Sequence, residues 1–479
     1  MNRPTLGRVF WTAVIAGGLA VLYLKPVPLA YWVAQHREVL LGRYSVGQVT
    51  AQLILTPVCL WLLWGIWMGK VKDPRQRRQD AFKTISVVLS ILLCVVFADV
   101  LLRVVQRSSY QKLGASYHRP PHQRIEGVFV DEPVSAFTYP NAPSGYPPVR
   151  YVFSTDARGF RNPASTDKAD AVVLGDSFAE GSGVSDEQAW PVLLGQATGR
   201  TVYNLGMSGT SAAGYLEVLE RFGLALKPRW VLCLLYEGND FRDSNFQRDE
   251  RPGRASLGDV IFKGSPLRRR IQTFLIRTLG PVGSRRFWDA PEKLNQPSHP
   301  MYPVSWLPLE VPAGSGHFYA FELKRVLDHW VRPEQFSRSA AFEHTQAALR
   351  RMKELCSAQG AELVVVYAPD KPHVLLQSVR DRLSAEQVRA FLALRRKNLP
   401  PAETLLEDLI PSMDIFEQVV KGFCQNEGIR FVSLTEVLRQ KIEEGVWAYY
   451  TYDQHWSPDG HRIAADYLAQ TVFGAEKAK

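Results

Sequence analysis

A parallel α/β sheet with helices on both faces, preceded by transmembrane helices, is the fold class the sequence predicts. Three observations point to it. Short runs such as AVVL (171–174) and WVLCLLY (230–236) are apolar at every position rather than at alternate ones, as strands buried on both faces require. Stretches of helical periodicity lie between these runs, and parallel strands need such crossovers. Residues 1–105 hold three long apolar stretches, at 9–24, 49–68 and 84–105.

The second and third stretches are long enough to span a hydrocarbon core of roughly 30 Å. The first is shorter and has a signal peptide as its competing reading. Between the second and third lies KVKDPRQRRQDAFK, with Lys70, Lys72, Arg75, Arg77, Arg78 and Lys83. A short loop this basic stays in the cytoplasm. With the N-terminus inside beside Arg3 and Arg8, three spans then place everything after residue 105 outside. The expectation is a multi-pass protein of the cell membrane with an extracytoplasmic C-terminal region. The chain of 479 residues carries a formal charge of +10. The first hundred residues, with their apolar stretches and basic loop, point to a membrane rather than to nucleic acid, and no nucleic-acid partner is expected.

Residues 106–150 are rich in Pro, Tyr and Ser (HRPPHQR, YPNAPSGYPP) and read as an extracytoplasmic linker. A domain follows over 151–479. It begins with a short strand at 151–153. Strand 171–174, a helix at 188–198, strand 201–205, a helix at 212–226 and strand 230–236 come next. Residues 241–338 interrupt this rhythm and read as an insertion or lid beside the site. Within them, SPLRRRIQTFLIRTLG has Ser265 and Pro266 at the N-cap and first position of a helix. The rhythm resumes with a helix at 341–359, the strand in AELVVVYAP, a helix at 413–426 and the strand in IRFVSL. Ser457 and Pro458 open the last helix, through Leu468.

Three polar turns end the first three strands of this series: Gly175-Asp176-Ser177, Gly206–Gly209 and Gly238-Asn239-Asp240. A parallel sheet brings them together at its carboxyl edge, where ligands bind. Ser177 is then a candidate nucleophile. The Ser177 N–H, the Gly209 N–H and the Asn239 amide are candidate oxyanion donors. A serine hydroxyl needs a base. Asp453 and His455, on the loop entering the last helix, supply one, with Asp453 orienting one ring nitrogen and the other facing Ser177. Each block alone reads better as an ordinary turn or cap, so the case rests on their joint order. A metal site of Asp453, His455 and His461 is the competing reading of the last block. The five cysteines have no metal spacing, and only Cys356 and Cys424 could pair in an oxidising compartment.

The blocks GDSF, GMSGTS, GND and DQHW, in this order, resemble the SGNH (GDSL-like) hydrolase family over about residues 150–472. That resemblance implies a three-layer, flavodoxin-like α/β fold and ester chemistry without a cofactor. It assigns Ser177 as nucleophile, Gly209 and Asn239 as oxyanion donors, and Asp453 and His455 as the acid–base pair. The family usually has two residues between that Asp and His, whereas here only Gln454 intervenes. D-x-H-W resembles the block of envelope polysaccharide O-acetyltransferases similar to those acting on alginate. The expected activity is therefore an SGNH-type ester hydrolase acting on acyl groups of envelope or exported glycans. A polysaccharide O-acetyltransferase and a non-catalytic glycan-binding protein on a degenerate scaffold are the alternatives. A transferase would need an acyl donor from a multispan membrane partner.

Overall fold

The computed structural model describes residues 3–23, 46–68, 111–113, 116–131, 143–241, 306–393 and 398–474, with Arg396 and scattered residues of 75–101 and 267–275. The chain divides into two compact units, one of residues 1–106, 134–141 and 255–304, the other of the remainder.

In the first unit, helices Arg3–Tyr23 and Val46–Met68 pair antiparallel. The Tyr23 and Thr56 hydroxyls share a hydrogen bond of 2.8 Å, and Trp67 Nε1 donates to Thr12 Oγ1 at 2.9 Å. Val49–Trp67 is long and apolar enough to cross a membrane, with a mean hydropathy of 1.8, whereas Gly7–Ala20 is a shorter apolar helix. Phe10, Trp11, Leu60, Trp61 and Trp64 are exposed along the two helices. The third apolar stretch, at 84–105, and the helix expected after Ser265 lie largely outside the described residues.

The second unit is built on five parallel strands: β5 (Ala171–Leu174), β6 (Val202–Asn204), β7 (Trp230–Tyr236), β10 (Glu362–Ala368) and β11 (Arg430–Ser433). Their order is β11-β10-β7-β5-β6, which is the flavodoxin-like 2-1-3-4-5 arrangement. Alternation along each strand fills two cores. Val173, Leu232, Leu234, Val364 and Val366 face one, under helices Trp190–Thr198, Thr435–Glu443 and Pro458–Phe473. Val172, Leu174, Cys233, Leu235 and Val365 face the other, under helices Ala212–Val218, Ala340–Ala358 and Ile415–Asn426. Both faces are dry, so the strands carry no polar stripe. Cys233, Cys356 and Cys424 lie in this second core as free, buried thiols. Burial pushes all three thiol pKa values up.

Two stretches depart from the sequence expectation. Within the segment read as a linker, the described residues form hairpins, β1–β2 (Gln111–Leu113, Ser116–His118) and β3–β4 (Arg124–Phe129, Val149–Ser154). Residues 107–133 and 142–150 belong to the sheet unit. The expected insertion ends earlier than 338. Strands β8 (Trp306–Glu310) and β9 (Phe318–Glu322) form a hairpin that continues into helix Leu323–His329. Val311, Tyr319, Phe321 and Val326 enter the first core. In both stretches the apolar residues are too scattered to show a period, and long-range packing supplies the structure that pattern does not reveal.

Candidate active site

Strand order in this sheet reverses between β5 and β7, so the crevice beyond their carboxyl ends is the expected ligand site. β5 runs through Gly175 into Asp176, which caps the short helix Ser177–Glu180 by accepting from the Phe178 N–H at 2.9 Å. β7 runs through Glu237 into the Gly238-Asn239-Asp240 turn. Buried Asp240 holds that turn by accepting from the Tyr236 N–H and the Tyr215 hydroxyl, both at 2.8 Å. The Asn239 amide donates to Asp176 Oδ2 at 2.9 Å, tying the two turns together across the switch point. Burial raises the Asp176 pKa, while the bonds from Phe178 and Asn239 and the nearby His455 oppose it. Asp176 is thus a fully buried bracket beside the serine.

The turn after β6 docks on the same helix. A Cβ on Gly206 would lie 2.5 Å from the Glu180 nitrogen, so only glycine permits this approach. Gly209 follows at φ +76, exposed, in the conformation glycine adopts without strain. Between them Ser208 donates to the Glu180 carboxylate, which is also held by Arg119 Nε at 2.5 Å. Neither Glu180 nor Arg119 was singled out by sequence. The three candidate oxyanion donors therefore lie on three turns gathered about helix Ser177–Glu180.

His455 and Asp453 come from the loop closed by the Tyr449–Trp456 bridge, just before helix Pro458–Phe473. Ser457 caps that helix as the sequence predicts, accepting from the Gly460 N–H at 3.3 Å and donating to the Trp447 carbonyl at 2.5 Å. Trp456 is fully buried and meets Phe178 edge-on at 5.0 Å, while Phe178 lies 4.9 Å from the His455 ring. His455 Nε2 lies 2.7 Å from Ser177 Oγ, and Nδ1 lies 2.5 Å from Asp453 Oδ1. The same carboxylate oxygen accepts the His455 backbone N–H at 2.8 Å. An acceptor at Nδ1 fixes the tautomer that leaves Nε2 free to accept the serine proton.

The electrostatics follow from these contacts. Burial opposes charge on both members of the pair. The His455 ring outweighs it at Asp453, with Lys371 adding to the effect, and holds that carboxyl well below the usual range. In turn Asp453, with Asp176 behind it, lifts the His455 pKa despite its burial. His461 is not drawn into this group. Its Nδ1 accepts from the Trp190 N–H at 3.4 Å, and burial, with Arg161 and His455 adding, lowers its pKa to about 3. Among the described residues no cluster of His, Cys, Asp or Glu side chains is suited to a metal ion, so Asp453, His455 and His461 do not form the ligand set considered from the sequence.

A second buried cluster lies behind the β7 and β10 ends. Glu237 accepts from Tyr367 Oη at 2.7 Å and pairs with His373 at 3.0 Å. Arg325 bridges Asp370 and Tyr236 Oη, both at 3.0 Å.

This is an α/β protein with flavodoxin-like strand order and a serine–imidazole–carboxylate line at its carboxyl edge. No protein-family model matches the chain, and neither does any curated protein. Among solved structures it is similar to an α/β hydrolase from the metagenome of Lake Arreo, Spain, at 12% identity over 64% of this chain and 97% of that one, with a TM-score of 0.30. It is also similar to a catalytic mutant of an acetylxylan esterase from Geobacillus stearothermophilus, at 13% identity over 64% and 93%, with a TM-score of 0.29. A GDSL-like lipase from Bacteroides thetaiotaomicron aligns at 10% identity over 64% and 88%, with a TM-score of 0.27. At such scores the fold of this chain rests on its own sheet order.

Proposed function

We propose that the protein is a membrane-anchored serine ester hydrolase of the SGNH type. The observation that carries this reading is the unbroken hydrogen-bond line from Ser177 Oγ through His455 to Asp453. In the proposed reaction Ser177 Oγ attacks an ester carbonyl as its proton passes to His455 Nε2. The carbonyl electron pair becomes an oxyanion held by the Ser177 and Gly209 N–H groups and the Asn239 amide. Collapse breaks the ester C–O bond, and the imidazolium returns its proton to the leaving alkoxide. Water then repeats the sequence on the acyl-enzyme, again with His455 as base, and frees Ser177. Asp453 stays ionised and steadies the imidazolium.

The location belongs to the same proposal: a multi-pass anchor with the sheet unit outside, acting on acyl groups of envelope or exported glycans. The exposed apolar helices and the basic segment around Arg75–Arg78 support it. Polysaccharide O-acetyl transfer is the second reading, favoured by the single residue between Asp453 and His455 and by the Trp456 that follows. In that case a sugar hydroxyl replaces water, and a multispan acyltransferase partner supplies the acyl group.

The test is turnover of p-nitrophenyl acyl esters and fluorophosphonate labelling by the full-length chain in detergent. Wild type turns over and is labelled at Ser177, and Ser177→Ala does neither. Equal turnover by the two would sink ester hydrolysis at this site. Labelling without turnover, together with acyl transfer to an added polysaccharide, would favour the transferase. An unlabelled Ser177 would leave a binding protein.

A further inference from the structure

The loop bearing Asp453 and His455 has little regular structure, yet a relay works only if its members are held to within about half an ångström. Two buried groups of opposite charge grip its backbone. Lys371, fully buried at the start of helix Lys371–Leu375, donates from Nζ to three carbonyls. They are those of Tyr450 at 3.0 Å, Thr451 at 2.7 Å and Asp453 at 2.7 Å. An ammonium has three N–H donors, and all three are spent on this one loop.

On the amide side stands Asp131, buried just after β3. Its Oδ2 accepts from the Thr451 N–H at 2.6 Å, and its Oδ1 accepts from the N–H groups of Tyr452 at 3.1 Å and Asp453 at 3.0 Å. It also accepts from the Tyr146 N–H at 2.9 Å, which ties the loop to the segment before β4. Burying a charge is unfavourable unless it is paired and hydrogen-bonded, and here both buried groups are hydrogen-bonded to the same loop. Asp131, Asp453, Asp370 and Arg325 are the charged groups that face Lys371. Burial brings its pKa down to about 8 against the pull of the three carboxylates, which leaves it chiefly an ammonium at neutral pH.

We propose that Asp131 and Lys371 form an opposite-charge clamp across the backbone of residues 450–453 that fixes the Asp453–His455 pair against Ser177. They are positioning residues, since both act on the loop rather than on the reacting atoms, and the catalytic half of the inference rests on the esterase reading above. The clamp also gives the segment after β3 a function: it delivers a carboxylate to a loop 322 positions downstream.

The test is hydrogen–deuterium exchange on the full-length chain, read together with kinetics. Lys371→Met keeps the length of the side chain and removes every donor, and Asp131→Asn keeps one acceptor oxygen. Lys371→Gln, which retains two N–H donors, serves as a milder variant if Lys371→Met does not fold. Exchange over residues 449–456 should rise at least tenfold in each variant while β5, β7 and β10 keep wild-type protection. The kcat and the rate of fluorophosphonate labelling at Ser177 should fall ten- to a hundredfold, with KM within twofold. Unchanged exchange in the loop overturns the clamp, as does a rise spread evenly over the strands or a loosened loop with wild-type kcat. A wild type that is never labelled refutes the esterase reading, whereas the exchange result still decides whether the clamp exists.

Discussion

At the residue scale, the pH profile is the sharpest consequence of the geometry. His455 must be neutral to accept the Ser177 proton, and Asp453 stabilises its charged form, so its pKa is raised. The kcat/KM of wild type should therefore fall as pH drops through a value above the ordinary imidazole pKa of about 6.5. In Asp453→Asn the stabilising charge is gone, so this acid limb should move to lower pH while kcat drops by roughly 10⁴. A limb that stays in place would mean that Asp453 does not face the titrating base. Asn239→Ala removes one candidate donor and should lower kcat by about 10²–10³ with little change in KM. Because Asn239 also bonds Asp176, the comparison is made against Asp176→Ala, which breaks that bond and leaves the Asn239 amide in place. Ser177, Asp453 and His455 could be picked out by sequence because each sits in a short block at a strand or helix end. Asp131 and Lys371 could not. Asp131 lies in a Pro-rich stretch with no period, and its partners are backbone amides that leave no mark on residue type. Lys371 does leave a faint signal, as a lysine three positions after the apolar strand β10 at the sheet's carboxyl edge.

At the scale of elements, the sheet was legible because its strands are buried on both faces and so apolar throughout, and its parallel sense followed from the connecting helices. Segments 111–150 and 306–338 were not, although the strand at 151–153 was. Their hairpins are stabilised by contacts with distant parts of the chain, such as the Ala320 N–H donating to the Thr451 carbonyl at 2.8 Å. The buried cluster beneath β7 and β10 gives this scale its own prediction. The Glu237 carboxylate beside it outweighs burial and raises His373 to about 10. A group whose folded pKa lies above its unfolded value stabilises the fold fully below about pH 6.5, and that contribution is lost as pH rises towards 10. Lys371, whose pKa is lowered to about 8, has the opposite slope above pH 8. The difference between wild type and His373→Gln isolates the histidine. Denaturant titrations should show the wild type's advantage shrinking between pH 7 and 10, and an advantage constant with pH would refute the pairing. Glu237→Leu should cost about 3–5 kcal/mol at pH 7, because it removes the buried carboxylate from His373 and leaves the imidazolium only Asp414, at 3.0 Å, and Glu417, at 3.7 Å.

For the molecule as a whole, the two antiparallel helices at the start of the chain impose a constraint on sidedness. If Val46–Met68 crosses a membrane, the basic residues after it lie on the side opposite residues 24–45. The charge rule puts those basic residues in the cytoplasm. The apolar stretch at 84–105 then returns the chain, and the sheet unit begins outside. The same side is reached whether the first helix remains or is cleaved as a signal, so the prediction does not depend on its fate. It is tested with single cysteines in a chain lacking Cys59 and Cys94, because Cys233, Cys356 and Cys424 are buried and shielded from reagent. Glu354→Cys, at a side chain 65% exposed on the sheet unit, should react with a membrane-impermeant maleimide in intact spheroplasts. Arg75→Cys should react only after the membrane is opened. The reverse pattern would place the Ser177 site in the cytoplasm and exclude envelope glycans as its substrate. Reaction of both before opening would mean that the chain does not cross between them, and would remove the third span.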